Sequence, residues 1–380
     1  MPLFHVRSRM FYPFALLVLL VAQRSDARLV EVPQDFATLK MAVDSTSSSD
    51  TIRLDSGNYQ APGFSGIVLW DSRVITSKYG ASHTIIQPYG DGTCIVARDT
   101  VMTRSTAIEG ITFVGFDRAI EYDTYRLLEI RGCNFRENYF GIYTMPPLYG
   151  SVTVDSCHFY ANAVGVYWFT ETYMNIQNCV FTYNGTAVWC HDCFASSFAR
   201  NILAYNGIGL ELQGGSPWSV CNNGIFYNTC GVRTWQMWFH WPFDSTGFTN
   251  NNVYGNDWNY ADTDDQTGKW NNFSAYPNFC DSGLSILTVS SASPLLAANN
   301  PAHADIGGHA GIGCYNGDVD ISGGVDIADV TTLIAYLYLS GPPPNPLVAG
   351  EIDCQSPTDI ADLTYLISYL YLSGPVPYCH

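Results

Sequence analysis

Apolar and polar positions repeat along the middle of the chain with a period of about 22 residues. Asparagines mark the period, at Asn138, Asn162, Asn184, Asn206 and Asn228. Three residues before each asparagine the side chain is large and apolar, at Phe135, Phe159, Phe181, Leu203 and Ile225. Three residues after it the side chain is small, at Gly141, Gly165, Ala187, Gly209 and Gly231. Because every offset keeps its chemical character, the repeat predicts one structural unit per period.

Each unit carries two short β-rich runs, which fit one coil of a parallel β-helix. Coils stack at the strand spacing of about 4.8 Å, so equivalent residues form ladders. We expect a Phe ladder that fills the interior and an Asn ladder whose amides hydrogen-bond from coil to coil. The small residue is expected to allow a bend with unusual φ. The pattern predicts an all-β solenoid of about ten to twelve coils over residues 28–313.

Cysteines form a further column two residues before the Phe ladder, at Cys133, Cys157 and Cys179. Alternation along a strand places these thiols inside, where cysteine packs as a small apolar residue. A disulfide within the column is the alternative. The segment Cys190-His191-Asp192-Cys193 has metal-like spacing but no second pair that matches it. It predicts a local disulfide or a surface turn, with zinc as the alternative.

The strand after each small residue predicts an outward strip, because side chains alternate along it. Five residues after each anchor, with Phe116 as the first, the outward residues are Glu121, Tyr143, Tyr167, Trp189, Glu211 and Arg233. Seven residues after it they are Asp123, Met145, Phe169, His191, Gln213 and Trp235. Exposed aromatic rings are costly to leave in water and stack well on sugar rings. We therefore expect Tyr143, Tyr167, Trp189 and Trp235 to contact a polysaccharide.

An insertion of about six residues follows the last of these strands and adds two further tryptophans, Trp238 and Trp241, to Trp235. Such an aromatic loop either walls a ligand groove or packs as a lid, and both interpretations stay open. Trp238 and Trp241 are predicted to contact the same ligand.

Charged side chains lie beside the aromatic strip. Glu211, Arg233, His191 and Asp192 fall within a few coil spacings of one another and are the candidate catalytic residues. They could serve as acid, base and charge-stabilising group at a glycosidic bond. The alternative is that Glu211 and Arg233 form a surface ion pair worth about 0–1 kcal/mol.

These motifs resemble the right-handed parallel β-helix superfamily of pectate lyases, polygalacturonases and pectin methylesterases. The opening segment 32–39 (VPQDFATL) and the closing segment 293–296 (SPLL) are similar to the capping helix and the end of such domains. The resemblance implies that the outward residues of one sheet line a polysaccharide cleft. The aspartate motifs of the polygalacturonases and methylesterases are not recognisable, and the chain has only Lys40, Lys78 and Lys269 for a lysine base.

The N-terminus predicts export. Arg7 and Arg9 precede an apolar run over residues 11–22, and small and polar residues follow up to Ala27. This layout is typical of a secretory signal peptide over residues 1–27, and the run is shorter than the roughly 20 residues that span a bilayer. We expect a secreted or cell-surface protein without a membrane span after cleavage. The net charge of -17 argues against nucleic acid as a partner.

A duplication with a 33-residue spacing follows from residue 314. Each copy is a loop and an apolar helix that ends at Gly-Pro. Counted as calcium loops, the first copy offers Asp318, Asp320, Ser322, Gly324, Asp326 and Asp329. The second offers Glu351, Asp353, Gln355, Asp359 and Asp362. Converging carboxylates without a nearby base predict two Ca²⁺ sites in a small all-α domain over residues 314–380.

Asp instead of Glu at the last loop position, at Asp329 and Asp362, a single helix after each loop and the tandem copy resemble a type I dockerin. The resemblance implies a cohesin-bearing scaffold protein as partner. In the second loop Glu351 stands at the first position and Ser356 replaces the turn glycine, so its affinity for Ca²⁺ should be lower.

Two functions follow from these patterns. The first is an exported carbohydrate-binding or carbohydrate-active β-helix, a polysaccharide lyase or glycoside hydrolase, tethered through a calcium-dependent dockerin. The alternative is a non-catalytic surface or adhesive protein in which the calcium module is structural.

Overall fold

The computed structural model describes residues 27–380 apart from several short gaps. The gaps are 63–65, 71, 90–91, 99–104, 125–126, 145–149, 170–172, 194–196, 215–218, 236–246, 280–288, 291–292, 308–311, 315, 321, 323–324, 345–346, 354, 356, 376 and 378–380. Residues 1–26 of the predicted signal peptide, Met145, Trp238, Trp241 and Gly324 lie outside the described residues. No helix among the described residues is long and apolar enough to cross a membrane.

Three parallel sheets, in which each coil contributes one strand per sheet, form a parallel β-helix. Sheet A contains Leu29–Val32, Thr51–Leu54, Val74–Ser77, Thr106–Glu109, Leu127–Arg131, Ser151–Asp155, Tyr173–Gln177, Ser197–Ala199, Ser219–Cys221 and Phe248–Thr249. Sheet B contains Gly57–Pro62, Thr84–Tyr89, Thr112–Val114, Asn134–Arg136, His158–Tyr160, Val180–Thr182, Ile202–Ala204, Gly224–Phe226 and Asn252–Tyr254. Sheet C contains Ile67–Leu69, Thr93–Ala97, Arg118–Tyr122, Phe140–Thr144, Val164–Phe169, Thr186–His191, Ile208–Gln213, Cys230–Trp235 and Trp258–Ala261.

The number of coils is smaller than the repeat predicts. Sheets B and C hold nine strands each, and the described residues after Ala261 add no strand to them. A two-stranded sheet of Val289–Ser290 and Ile312–Cys314 follows instead. At the other end, helix α1 (Leu39–Ser45), capped by the Thr38 hydroxyl, buries Leu39 and Val43 against the first coil.

The predicted Phe ladder fills the interior. Phe113, Phe135, Phe159 and Phe181 are fully buried. Successive ring centroids are 5.3, 4.7 and 4.5 Å apart, with the rings nearly parallel. The cysteine column is buried beside them as free thiols, which confirms the packing interpretation for Cys133, Cys157 and Cys179.

The predicted Asn ladder is also present. The Asn184 side-chain oxygen accepts from the backbone and side-chain nitrogens of Asn162, at 3.0 and 2.9 Å. The Asn184 amide in turn donates to Phe159 O at 3.0 Å and to Asn206 Oδ1 at 2.9 Å. A second ladder continues the cysteine column with the same bonding, at Asn201, Asn223, Asn251 and Asn272.

The expected role of the small residues is wrong. Gly141 and Gly165 do not have positive φ; a Cβ there would lie 2.5 Å from the carbonyl oxygen of the next coil. One row of left-handed residues lies directly before the Asn ladder, at Glu137, Ala161, Tyr183, Tyr205 and Tyr227, with φ between 54° and 60°. The chain turns there at non-glycine residues because the buried asparagine that follows holds the turn on both sides.

A segment that the sequence analysis did not predict covers the outward side of sheet B in its C-terminal half. Val180, Ile202 and Phe226 are buried there beneath a returning segment, together with Val289, Leu295 and Ile306. Gly307 N donates to Asn222 O at 2.8 Å, which ties this segment to the coil. The change from polar to apolar residues at outward positions of sheet B was the signal for such a cover.

The C-terminal region contains helices α2 (Ile327–Tyr338) and α3 (Ile360–Leu372), with a 3-10 turn at Leu347–Gly350 between them. Another 3-10 turn, at Ala297–Asn299, lies in the segment before this region. Each long helix lies in one copy of the duplication and ends shortly before its Gly-Pro, as predicted, but it begins two residues before the last counted loop position. The two helices pack on each other around Leu333 and Leu366. Asp326 and Asp359 cap the two helices, each in a capping box with the aspartate three residues later.

Candidate functional site

The outward face of sheet C holds the predicted strip in register. The strand pairing aligns Tyr143 with Tyr167, Tyr167 with Trp189, Trp189 with Glu211, and Glu211 with Arg233. A neighbouring column aligns Phe169 with His191, His191 with Gln213, and Gln213 with Trp235. We call these two columns the sheet C strip.

The rings of the sheet C strip contact one another along the solenoid axis. Tyr143 stacks on Tyr167 at 5.1 Å, and Tyr167 meets Trp189 edge-on at 5.0 Å. The three rings are partly buried, in contrast to the predicted open strip, because each ring packs against the next. Burial, with the neighbouring Tyr143, raises the pKa of Tyr167 to about 12. Trp235, at the C-terminal end, is 50% exposed.

Glu211 and Arg233 meet at the C-terminal end of the strip. Glu211 Oε1 lies 3.9 Å from Arg233 Nη1, and Arg233 Nε lies 3.9 Å from Asp262 Oδ2. Glu211 is only 6% exposed, whereas the Arg233 side chain is 35% exposed, so the pair is buried on its carboxylate side. Burial raises the pKa of the Glu211 carboxyl despite the opposing effect of the Arg233 guanidinium. A carboxyl with a raised pKa keeps its proton to higher pH and is better suited to act as a general acid.

The raised pKa of Glu211 predicts a pH-dependent stability. The folded protein holds this proton more tightly than the unfolded chain, so stability is lost as the pH rises from about 4 towards 7. Glu211→Gln removes the titrating group. We expect the free energy of unfolding of the variant, relative to that of the wild type, to increase from pH 4 to pH 7 in urea titrations. A difference that is constant with pH, or that decreases, contradicts the assignment.

His191 and Asp192 are adjacent in sequence, but His191 lies on the sheet C strip and Asp192 lies in the turn after the strand. The His191 ring lies in the strip, 4.6 Å from the Phe169 ring, and its Nε2 is 3.8 Å from Asp192 Oδ2. Asp192 has φ of 54° and packs its carboxylate over Gly214, at the turn that leaves the strand. Cys190 and Cys193 form a disulfide around these two residues, as the local interpretation of this segment predicts.

Two donor atoms of the site are buried without a hydrogen-bond partner among the described residues. They are Nδ1 of His191 and Nε of Arg233. A buried polar atom of this kind costs about 1–3 kcal/mol, so both are suited to bind a ligand oxygen.

Sequence reasoning missed two residues that the last coil adds. Trp258 pairs with Cys230, beside the strip, and is 61% exposed. Asp262 follows the same strand and reaches Arg233. The sequence signal for this last coil was the sixth asparagine, Asn256. Its side-chain oxygen accepts a hydrogen bond from Asn228, across a coil that the insertion at 236–246 lengthens.

A second charged cluster lies at the other end of the same face. Arg118 Nη1 is 2.7 Å from Glu121 Oε2, and its guanidinium lies 4.2 Å from the Tyr143 ring centroid. Arg98 pairs with Asp123 at 3.0 Å and with Glu121 at 3.7 Å. Every cation in this cluster has a carboxylate partner.

Residues 93–257 match the family model of the right handed beta helix region. This match, over less than half of the chain, and the three parallel sheets confirm the predicted right-handed parallel β-helix. No curated protein matches the sequence.

Two similar solved structures are of the PL6 family alginate lyase AlyGC. A point mutant matches with a TM-score of 0.43 and 14% identity, and the match covers 60% of this chain and 39% of the mutant's chain. The unmutated enzyme has a TM-score of 0.40 and 12% identity with the same coverage. This chain therefore spans well under half the length of those lyases, and the TM-scores are too low to support an inference about activity.

The first loop of the C-terminal region gathers three carboxylates. One oxygen each of Asp318, Asp320 and Asp329 lies within 4.8 Å of the others. Asp329 accepts from the backbone nitrogens of Val319 at 2.6 Å, Asp320 at 3.1 Å and Asp326 at 2.7 Å. Burial raises the pKa of Asp329, which the backbone donors oppose.

The second loop repeats these backbone hydrogen bonds and has Glu351 in place of an aspartate at its first position. Asp362 accepts from the backbone nitrogens of Ile352 at 2.5 Å, Asp353 at 2.9 Å and Asp359 at 2.8 Å. Glu351 accepts a hydrogen bond from the Thr358 hydroxyl at 2.5 Å. Gln355 N donates to Asp353 at 2.9 Å, as Ser322 N does to Asp320 in the first loop.

Proposed function

We propose that this protein is an exported polysaccharide-binding and polysaccharide-processing β-helix whose ligand lies along the sheet C strip. The observation that carries the proposal is the register that joins the rings of Tyr143, Tyr167 and Trp189 to the charged residues Glu211 and Arg233 in one column. Aromatic faces bind the apolar C–H faces of sugars, and the charged end supplies acid–base chemistry.

The groups at the charged end have separate roles in this proposal. Glu211 donates a proton to the leaving glycosidic oxygen. Arg233 stabilises negative charge and orients Glu211, and His191 binds a sugar hydroxyl through its free Nδ1. Trp235 extends the platform at the exposed end, with Trp238 and Trp241 of the insertion as further contacts. Asp192, held in a turn, positions His191.

Removing the central ring tests the platform. We expect Trp189→Ala to weaken polysaccharide binding at least about tenfold, since buried aromatic anchors each contribute more than 1 kcal/mol to binding. The measurement is affinity electrophoresis of the full chain through gels that contain one soluble polysaccharide each. Release of reducing ends in the same panel measures processing.

The control is Tyr183→Ala. Tyr183 belongs to the same coil and is a 43% exposed ring, but it stacks on Tyr205 at the sheet B side. The proposal fails if both variants bind as the wild type does, or if both lose binding equally. Binding without any bond cleavage would favour the adhesive alternative.

We also propose that the C-terminal region is a dockerin-like module that binds two Ca²⁺ ions, the second more weakly. The all-oxygen donor set of Asp318, Asp320 and Asp329 suits Ca²⁺. The exposed Ile327 and Ile360, at 54% and 62%, begin the two helices and offer apolar contacts to a cohesin-bearing scaffold. Export and cleavage after Ala27 belong to the same proposal.

A further inference from the structure

Positive charge is distributed very unevenly along the chain. Of the 17 Lys and Arg residues, all but three lie at or before Arg136. The remaining three are Arg200, Arg233 and Lys269. The half of the solenoid that carries the aromatic part of the sheet C strip is therefore almost free of bases.

Two of these three bases lie away from the strip. Arg200 has φ of 55° in the turn between sheets A and B. Lys269 is exposed and next to Trp270, whose carbonyl accepts from Asn250 in the same row of turns. Arg233 is the remaining base, and it lies between two carboxylates, 3.9 Å from each.

The segments that follow the sheet C strands from Phe140–Thr144 to Cys230–Trp235 do not supply cations either. In sequence, residues 145–149, 170–172, 194–196, 215–218 and 236–246 contain neither Lys nor Arg. At the N-terminal end of the face, Arg98 and Arg118 are both paired with carboxylates. Arg104 and Arg126, in the segments after the two preceding sheet C strands, lie outside the described residues. Among the described residues, a polyuronate bound along Tyr143, Tyr167 and Trp189 would place one carboxylate per sugar against aromatic rings with no unpaired Lys or Arg beside it.

The carboxylates of the protein oppose such a ligand further. The chain has a formal net charge of -17, and Glu211 and Asp262 lie at the C-terminal end of the strip. Like charges act over a Debye length of about 8 Å at physiological salt, so an anionic chain would be repelled as it approached. We propose that the sheet C strip binds an uncharged polysaccharide. This inference rests on the proposed function and names its substrate class.

An uncharged glycan also restricts the chemistry. It has no carboxylate to acidify the C5 proton, so the elimination used by polyuronate lyases is not open to it, and the bond must be cleaved by water. The anomeric C–O bond breaks, Glu211 gives its proton to the leaving oxygen, and the oxygen of water bonds to the anomeric carbon. The proton released by water goes to Asp262. Since both carboxylates lie 3.9 Å from Arg233, their oxygens are at most about 10 Å apart, which accommodates the separation of about 6.5–9.5 Å in inverting hydrolases.

The test compares glycans of different charge with the full chain. Affinity electrophoresis is run in galactomannan, xyloglucan and mixed-linkage glucan, in polygalacturonate and alginate, and in soluble chitosan, each at about 20 mM and 500 mM NaCl. We expect retardation by at least one uncharged glycan, little changed by salt, and lost about tenfold in Trp189→Ala. Trp235→Ala, an exposed position, repeats the test if Trp189→Ala folds poorly.

The outcomes separate this inference from the proposed function. Retardation by a polyuronate or by chitosan that depends on Trp189 and exceeds that of every uncharged glycan overturns the inference and leaves the polysaccharide strip standing. An unsaturated product, detected by its ultraviolet absorbance, also overturns it. If no glycan of any charge retards the protein, the proposed function itself fails.

Discussion

Asn184→Ala is expected to lower the free energy of unfolding by at least about 3 kcal/mol, because it leaves several buried groups without partners and each costs about 1–3 kcal/mol. Asn184 is 2% exposed. Its side-chain oxygen accepts hydrogen bonds from two nitrogens of Asn162, and its amide nitrogen donates to Phe159 O and Asn206 Oδ1. Removing it interrupts the ladder in the middle of the solenoid. Urea unfolding of the variant and of the wild type measures the loss.

The matched control is Asn175→Ala. Asn175 has the same side chain and precedes Asn184 in the same coil, but it is exposed on sheet A. An exposed substitution of this kind changes stability by less than about 0.5 kcal/mol. Equal effects of the two variants would show that the ladder does not hold the coils together.

Removing Ca²⁺ is expected to destabilise the C-terminal region and leave the β-helix unchanged. A ligand that binds only the folded state adds about 2.7 kcal/mol at one hundred times its Kd. Excess EDTA should therefore lower one thermal transition of the full chain and not the other, in differential scanning calorimetry. Asp329→Ala should lower the same transition even without Ca²⁺, because Asp329 serves three backbone donors, and should reduce the number of bound ions from two to one.

Asp257→Ala provides the control for the loss of one negative charge. Asp257 is an exposed aspartate of the β-helix. We expect the same calcium stoichiometry and the same EDTA response as in the wild type. The calcium proposal is ruled out if EDTA leaves both thermal transitions unchanged and calorimetric titration detects no bound Ca²⁺.

The period of the repeat was sufficient to predict the solenoid, because each coil places its residues at the same offsets from a buried asparagine. One offset then became one ladder, as for Phe159 and Phe181 in the interior and for Trp189 and Glu211 outside. The strand spacing is common to all coils, so neighbours in space follow from arithmetic on the sequence. The presence of one helix in each copy of the C-terminal duplication followed similarly from its spacing.

The backbone conformation of the turns and the segment that covers sheet B could not be predicted from the repeat. The left-handed turns fall on residues such as Tyr183 and Tyr205, where the sequence shows no glycine, because the buried ladder beside them determines the backbone. The returning segment that buries Phe226 comes from residues far along the chain. Long-range packing of this kind leaves no period to detect.

The sequence by itself determined the ladders, the order of the outward strip and the duplicated acidic loops, since all three depend on fixed spacing. The tertiary structure alone decided that Glu211 is buried beside Arg233 and that Asp262 joins them from the next coil. Burial and the approach of separate coils depend on how loops and late segments pack, and it is burial that shifts the pKa of Glu211.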